Sequence, residues 1–350
     1  MKIGLYGMPT AGKSYILDKI DFVEVMQGSR LLRDLCPNFE SQTEEIKIAI
    51  RKKLANSLKE KESVIMDGHY AFGDRIVFTE ADGQLYDVFL YLYLSPQKLE
   101  ERMKVSERNR KYLKYDIEGW QRKEIECLRE YCHINKKDFY VIDNPPEYYF
   151  DDVSIILDFI RTIINGYSCR AFAETISKEI LNKSKSDTII LMDGDKTITK
   201  EDTSHAVFGY VTRLYDGNFY TGYQSWRQAL EFALCTIGDL IQMPVSLNER
   251  VCDAFSENTY ILTSGHEKVW QFISKELNIP FYQGIEMSAE TKYFVTKYLQ
   301  ESGKKVIAYG DGMNDYYMLM QADEGFLVTK GDSSISRSLK DRNLEGLCLV

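Results

Sequence analysis

Three groups of residues in this chain have the types and spacing needed to handle phosphate. Gly7-Met8-Pro9-Thr10-Ala11-Gly12-Lys13-Ser14 fits the pattern G-x-x-x-x-G-K-[ST]. A glycine-rich turn of this kind points successive backbone N–H groups at a polyphosphate, and the helix that follows adds the field of its N-terminus. Gly7, Thr10, Ala11 and Gly12 would line the cradle, Lys13 would reach the β- and γ-phosphates of ATP, and the Ser14 hydroxyl would hold a magnesium ion. Far downstream, Asp193 and Asp195 stand two apart after an apolar run. One such carboxylate can attack phosphorus while the other protonates the leaving oxygen and later deprotonates water. A phosphate dianion repels a carboxylate, so positive charge is needed beside the pair. Lys292 can supply it. Asp311 and Asp315, in Gly310-Asp311-Gly312-Met313-Asn314-Asp315, can complete with Asp193 and Asp195 an all-oxygen site for Mg2+. Thr263-Ser264-Gly265 adds a hydroxyl and a backbone N–H for phosphoryl oxygens.

These groups need strand ends and helix starts to present them, and the patterning provides both. In the first half, apolar runs at Lys2–Tyr6, Ser63–Met66, Val88–Leu94 and Asp138–Ile142 read as strands. They alternate with helical segments at Lys13–Ile20, Gln42–Glu60, Pro96–Met103 and Ile117–Cys132. In the second of these, Ile46, Ile50, Leu54 and Leu58 recur every fourth residue. Such alternation predicts a parallel sheet covered by helices. Asn144-Pro145-Pro146 ends the pattern, two helical segments follow at Val153–Ile164 and Ala171–Leu181, and a polar break at 182–187 precedes a second alternating series. Its strands fall at Thr188–Met192, Tyr260–Thr263, Lys305–Tyr309 and Gly325–Val328, and its helices at Glu267–Glu276 and Glu290–Ser302. The expected organisation is α/β throughout: a doubly wound kinase-like domain over 1–150, a helical linker over 151–186, and a second Rossmann-like domain over 187–350. A mostly helical insertion at about 199–258 would cap the second site. Its aromatics, Phe208, Tyr210, Tyr215, Phe219, Tyr220, Tyr223 and Trp226, would form the cap's own core, with His205 and Arg213 as substrate contacts.

The first half resembles the adenylate-kinase-like branch of P-loop small-molecule kinases. In that branch an Asp-Gly pair ends a strand and a mobile lid brings arginines onto the phosphates. The resemblance implies that Asp67 positions magnesium or the acceptor, and that Arg102, Arg108 and Arg110 belong to the lid. Asp67-Gly68-His69-Tyr70-Ala71 departs from the branch's Asp-Gly-Phe-Pro-Arg, and the missing arginine weighs against a nucleoside monophosphate as acceptor. The second half resembles the haloacid dehalogenase superfamily, nearest its phosphoserine-phosphatase-like group, through Asp193-x-Asp195-x-Thr197, Ser264-Gly265, Lys292 and Gly310-Asp311-Gly312-x-Asn314-Asp315. By this resemblance Asp193 is the nucleophile, Asp195 the acid and base, Ser264 and Lys292 hold the phosphoryl group, and Asp311 with Asp315 serves magnesium. Lys196 stands where glycine is common.

Composition narrows the function. A net charge of −9 gives no global basic field for nucleic acid. The seven cysteines are odd in number and lack a C-x-x-C pair, which fits reduced thiols in a cytoplasmic protein. No leader is visible and no apolar run is long enough to span a membrane, so no membrane partner is expected. The leading expectation is a bifunctional ATP-dependent kinase and magnesium-dependent phosphatase acting on small phosphate esters or hydroxylated metabolites. Two alternatives remain. Polynucleotide kinase–phosphatases share this order of halves and would heal nucleic-acid ends, though the acidic balance and a cap oppose that. The P-loop half could instead sense nucleotide and regulate the phosphatase without transferring phosphate.

Overall fold

The computed structural model describes residues 1–143, 153–209, 219–238 and 240–350. The chain forms two compact units, residues 1–167 and 168–350. The Asn144-Pro145-Pro146 turn and the insertion residues Tyr210, Arg213 and Tyr215 lie outside the described residues.

The first unit is built on a parallel sheet of five strands: β1 (Lys2–Tyr6), β2 (Glu24–Met26), β3 (Val64–Asp67), β6 (Val88–Tyr93) and β7 (Asp138–Asp143), in the order β2-β3-β1-β6-β7. A short antiparallel hairpin, β4 (Ala71–Phe72) with β5 (Arg75–Ile76), follows β3. Strands in such a sheet read as unbroken apolar runs, and Val88 through Leu92 are all buried. The helices between them take their starts from local chemistry. Pro96 occupies the first turn of Pro96–Val105, and the Asp116 carboxylate accepts from Gly119 N at 3.0 Å to cap Ile117–Ile134. The helix Ser154–Ile164 sets Phe159 edge-on against Tyr140 of β7, ring centres 5.4 Å apart. From β1 the strand order runs both ways, so the loop leaving β1 opens at the point where ligands settle in doubly wound sheets.

The second unit repeats the principle with six parallel strands: β8 (Thr188–Met192), β9 (Thr259–Leu262), β10 (Phe281–Tyr282), β11 (Lys305–Gly310), β12 (Glu324–Leu327) and β13 (Cys348–Leu349), in the order β10-β9-β8-β11-β12-β13. Met192 of β8 pairs with Tyr309 on one side and Ile261 on the other. The residues just beyond, Asp193, Thr263 and Asp311, therefore emerge side by side at one edge. The helix Ala289–Glu301, which carries Lys292, packs against helices Cys169–Lys183 and Met313–Gln321. The stretch 151–186, expected as a linker, thus holds one helix in each unit.

The insertion after β8 is closed at its base by backbone pairing. Thr199 bridges Leu247, Asn248 N donates to Ile198 O at 2.8 Å, and Lys200 N donates to Ser246 O at 2.9 Å. Above this neck the described residues form helices Thr203–Phe208 and Gly222–Phe232. Tyr223, Trp226 and Phe232 are buried, whereas Phe208 and Tyr220, expected in a core of the insertion's own, pack against the apolar clusters of the sheet. Ser225 Oγ donates to Ile285 O at 2.7 Å and Ala289 N to Tyr220 O at 2.9 Å, tying the insertion to the loop ahead of Lys292. Among the described residues, no helix is long and apolar enough to cross a membrane.

Candidate active sites

In the second unit the acids converge on a buried lysine. Lys292, fully buried, donates to Asp193 Oδ1 at 2.5 Å and to Asp315 Oδ1 at 2.7 Å. Asp193 follows β8 directly, and its other oxygen accepts from Thr197 Oγ1 at 3.3 Å. Asp315 Oδ2 accepts from the N–H groups of Asp311 and Gly312, at 3.1 and 3.3 Å, which fixes the turn entering Met313–Gln321. Gly310 is required here, since a methyl group on its Cα would lie 2.3 Å from Asp315 Cβ.

Carboxylate oxygens of Asp193, Asp311 and Asp315 all lie within 4.8 Å of one another. Burial, then Asp315, pushes the Asp193 carboxyl up to about 7 against the pull of Lys292. Burial, then Asp315 and Asp193, holds Asp311 well above the usual carboxylate range. Burial alone would lower Lys292, yet the two aspartates hold its ammonium above its ordinary value. Three crowded acids and one lysine leave a deficit of positive charge, and hard oxygen donors at this spacing fit a magnesium ion.

Asp195 stands apart from that cluster. It was expected among the metal ligands, but its carboxylate turns toward the insertion, where Oδ1 accepts from Thr203 N at 2.8 Å. Burial, then Asp202, lifts it to about 6, while Thr203 and Lys196 oppose the rise. Lys196 adopts a left-handed backbone, φ 62°, which accounts for glycine suiting this position. Its ammonium pairs with Asp202 at 2.8 Å. Of the two candidate hydroxyls after β9, Thr263 Oγ1 accepts from Gly265 N at 3.0 Å and is buried, whereas Ser264 Oγ accepts from Asn314 Nδ2 at 3.3 Å. That bond joins Ser264 to the turn bearing Asp311 and Asp315. His205 lies exposed on the helix Thr203–Phe208.

In the first unit the loop after β1 is shaped as its sequence implies. Gly7 and Gly12 take φ of 146° and 107°, and Thr10 a φ of 71°. A side chain at Gly7 would strike Leu92 O at 2.7 Å. Lys13 opens the helix Lys13–Leu17 and is buried, its ammonium donating to Gly7 O and, at 3.2 Å, to Met8 O. Burial lowers it to about 8, opposed by Glu124 and Asp67. Ser14 is exposed at the first turn, and the Thr10 hydroxyl is buried without a partner. Arg102 reaches the loop, donating to Thr10 O at 3.1 Å and Ala11 O at 3.3 Å. Arg110 folds back onto Lys104 O at 2.9 Å, and Arg108 is exposed. One oxygen of Asp67 accepts from Gly28 N at 2.8 Å. Burial, then Lys13, Arg108 and Arg51, keeps His69 well below its ordinary value and so neutral.

Sequence reasoning missed Glu124. Its buried carboxylate accepts from Ala71 N, Trp120 Nε1 and Tyr91 OH at 2.8 to 3.0 Å. It also forms part of a cavity of about 180 Å³ lined by Tyr70, Tyr115 and Trp120. The signal was a carboxylate inside the apolar stripe Trp120, Ile125, Leu128. His266 and Trp270, beside Ser264-Gly265, were missed as well; both are buried and each has a ring nitrogen without a hydrogen-bond partner.

Residues 287–340 match a family model described as haloacid dehalogenase-like hydrolase, and that segment carries Lys292, Asp311 and Asp315. Among curated relatives, the probable copper-transporting P-type ATPase B of Staphylococcus epidermidis is 33% identical over 92 residues, or 26% of this chain. The matched stretch spans 14% of the length of that relative. Among solved structures, the chain is similar to a shikimate kinase from Acinetobacter baumannii in complex with shikimate, with 17% identity, 47% of this chain and 90% of that one covered, and a TM-score of 0.32. It is also similar to a deoxyadenosine kinase from M. mycoides (20%, 48% and 100% covered, 0.28) and to a substrate-bound phosphoserine phosphatase (13%, 43% and 90% covered, 0.26). Residues 287–340 of the C-terminal unit are thus similar to haloacid dehalogenase-like hydrolases, and the parallel sheets and helices of both units give the α/β class expected from sequence.

Proposed function

We propose that the chain joins an ATP-dependent kinase, residues 1–167, to a magnesium-dependent phosphatase, residues 168–350, and that both act on small phosphorylated or hydroxylated metabolites. The observation carrying this reading is the buried Lys292 bridging Asp193 and Asp315 with Asp311 alongside. A phosphate ester docked there meets a nucleophile, a cation and a metal-binding acid cluster at once.

Asp193 attacks phosphorus and forms an aspartyl-phosphate. Asp195 gives its proton to the departing ester oxygen, then takes one from the water that hydrolyses the acyl phosphate. Lys292 and Ser264 hold phosphoryl oxygens through the charge build-up. Magnesium, when bound by Asp193, Asp311 and Asp315, supplies charge neutralisation that the lysine alone does not. In the first unit the Gly7–Ser14 loop holds ATP and Lys13 turns from its own loop carbonyls to the phosphates. The insertion tied over residues 285–289 favours small esters, because closure on a compact substrate excludes water.

The test pairs Asp193→Asn with Lys13→Ala. Turnover of p-nitrophenyl phosphate is expected to fall by about three orders of magnitude or more in Asp193→Asn and to survive in Lys13→Ala. ATP-dependent transfer to a metabolite panel is expected to show the reverse. Loss of both activities in a folded Lys13→Ala protein would replace two sites with one composite site.

A further inference from the structure

One buried donor beside the proposed phosphatase site has nothing to donate to. Trp270, on the helix Glu267–Leu277, is fully buried among Met192, Ile198, Val269 and Ile273. Its indole N–H has no hydrogen-bond partner. Buried polar groups are nearly always paired, and a purely apolar side chain would suit this cluster without leaving a donor stranded. The position of the indole supplies the reason for a tryptophan. A methyl group on Gly265 Cα would lie 2.3 Å from Trp270 Nε1 and 2.8 Å from Asp195 Oδ2. Donor and carboxylate oxygen face the same bare patch of backbone, kept open by the absence of a side chain at 265. The other oxygen, Asp195 Oδ1, is held by Thr203 N at 2.8 Å. The indole also lies against Gly194, where a methyl would meet the Trp270 ring at 2.4 Å. It therefore buttresses both loops that present the catalytic groups.

We propose that Trp270 is a positioning residue for the general acid. When Asp195 turns toward a bound ester, its Oδ2 takes the indole N–H, and the carboxyl is fixed between Trp270 Nε1 and Thr203 N. A carboxyl group has about four lone-pair positions, so two donors leave room for the proton it must deliver. In the first half-reaction that proton passes to the ester oxygen as the bond from phosphorus to that oxygen breaks and the bond from Asp193 to phosphorus forms. In the second, a water proton returns to Asp195 as the water oxygen displaces Asp193.

This inference rests on the phosphatase reading, and leaving-group basicity separates the two. A p-nitrophenolate departs with little help from an acid, whereas the more basic phenolate depends on timely protonation. Trp270→Phe keeps an aromatic ring in the cluster and removes the N–H together with two ring carbons. It is expected to lower kcat/KM, which reports the half-reaction in which the leaving group departs, about tenfold more for phenyl phosphate than for p-nitrophenyl phosphate, the loss of one hydrogen bond to an ionisable group. Asp195→Asn should show the same pattern more strongly. Each ratio is taken on one preparation, so a fraction of unfolded Trp270→Phe protein cancels from it. An unchanged ratio, whether both rates fall equally or neither falls, overturns the positioning role and leaves the phosphatase reading standing. Failure of the unmodified chain to hydrolyse either ester overturns the phosphatase reading itself.

Discussion

Replacing Lys292 by methionine removes an ammonium bonded to both Asp193 and Asp315 while keeping most of the side-chain volume. Three carboxylates with oxygens within 4.8 Å then remain in a buried site. At that separation and an effective dielectric of about 20, two unit charges repel by about 3 kcal/mol, and breaking a buried ion pair from one side costs about 3–5 kcal/mol. We expect the second unit to lose about 3–5 kcal/mol at pH 8 without added metal. The pH dependence follows from the raised carboxyls. Asp193 titrates near 7 and Asp311 well above its ordinary 3.8, so between 3.8 and 7 the folded state binds more protons than the unfolded chain. Stability then falls as pH rises through that window. Without the lysine these carboxyls move higher still, so the deficit should be largest at pH 8 and shrink toward pH 5.5, where protonation removes the repulsion. Urea unfolding at several pH values, followed by tryptophan fluorescence with and without ATP to identify the first unit's transition, measures it. A deficit under about 1 kcal/mol at pH 8, or one that grows on acidification, would refute the reasoning.

Three further outcomes are expected. Gly265→Ala should nearly abolish phosphatase turnover, because its methyl would lie 2.3 Å from Trp270 Nε1 and 2.8 Å from Asp195 Oδ2; retention of half the activity would show that the loop yields freely. Magnesium affinity, titrated calorimetrically, should weaken as pH falls from 8 to 6, since protons compete for Asp193 and Asp311; a flat profile would remove these two as ligands. Arg102→Ala should weaken ATP binding about tenfold by freeing the Thr10 and Ala11 carbonyls it now holds; unchanged calorimetric affinity would make the contact incidental.

Much of this architecture was legible because buried parallel strands leave dense apolar runs. Thr188–Met192 and Lys2–Tyr6 form as their patterns imply, and most helix limits fall within a residue or two. The short edge strands Glu24–Met26, Phe281–Tyr282 and Cys348–Leu349 were not legible, since two or three residues carry no periodicity and form only by pairing with a strand already in place. At the proposed phosphatase site, the carboxylates announced themselves by spacing at strand ends. Their environment did not. Nothing in Asp193-Gly194-Asp195 says that one acid would lie against Lys292 while the other bonds Thr203 in the insertion, because that split depends on which neighbours the fold delivers. Trp270 was hidden for a similar reason: a tryptophan on a helix stripe reads as core, and only its placement against Gly265 distinguishes the nitrogen edge from the rest of the ring.

The paired neck at the base of the insertion has an engineering consequence. Ile198 through Lys200 already lie bonded to Ser246 through Asn248, so the two points where the insertion leaves and rejoins the core are adjacent. Closing a flexible loop costs free energy that grows only logarithmically with its length, so residues far from the neck can vary in number with little effect on how the sheet assembles. The socket is fixed, but it is not the whole attachment: Thr203 holds Asp195, and Tyr220 and Ser225 bond the stretch ahead of Lys292, so a graft that changes substrate choice has to keep those three contacts.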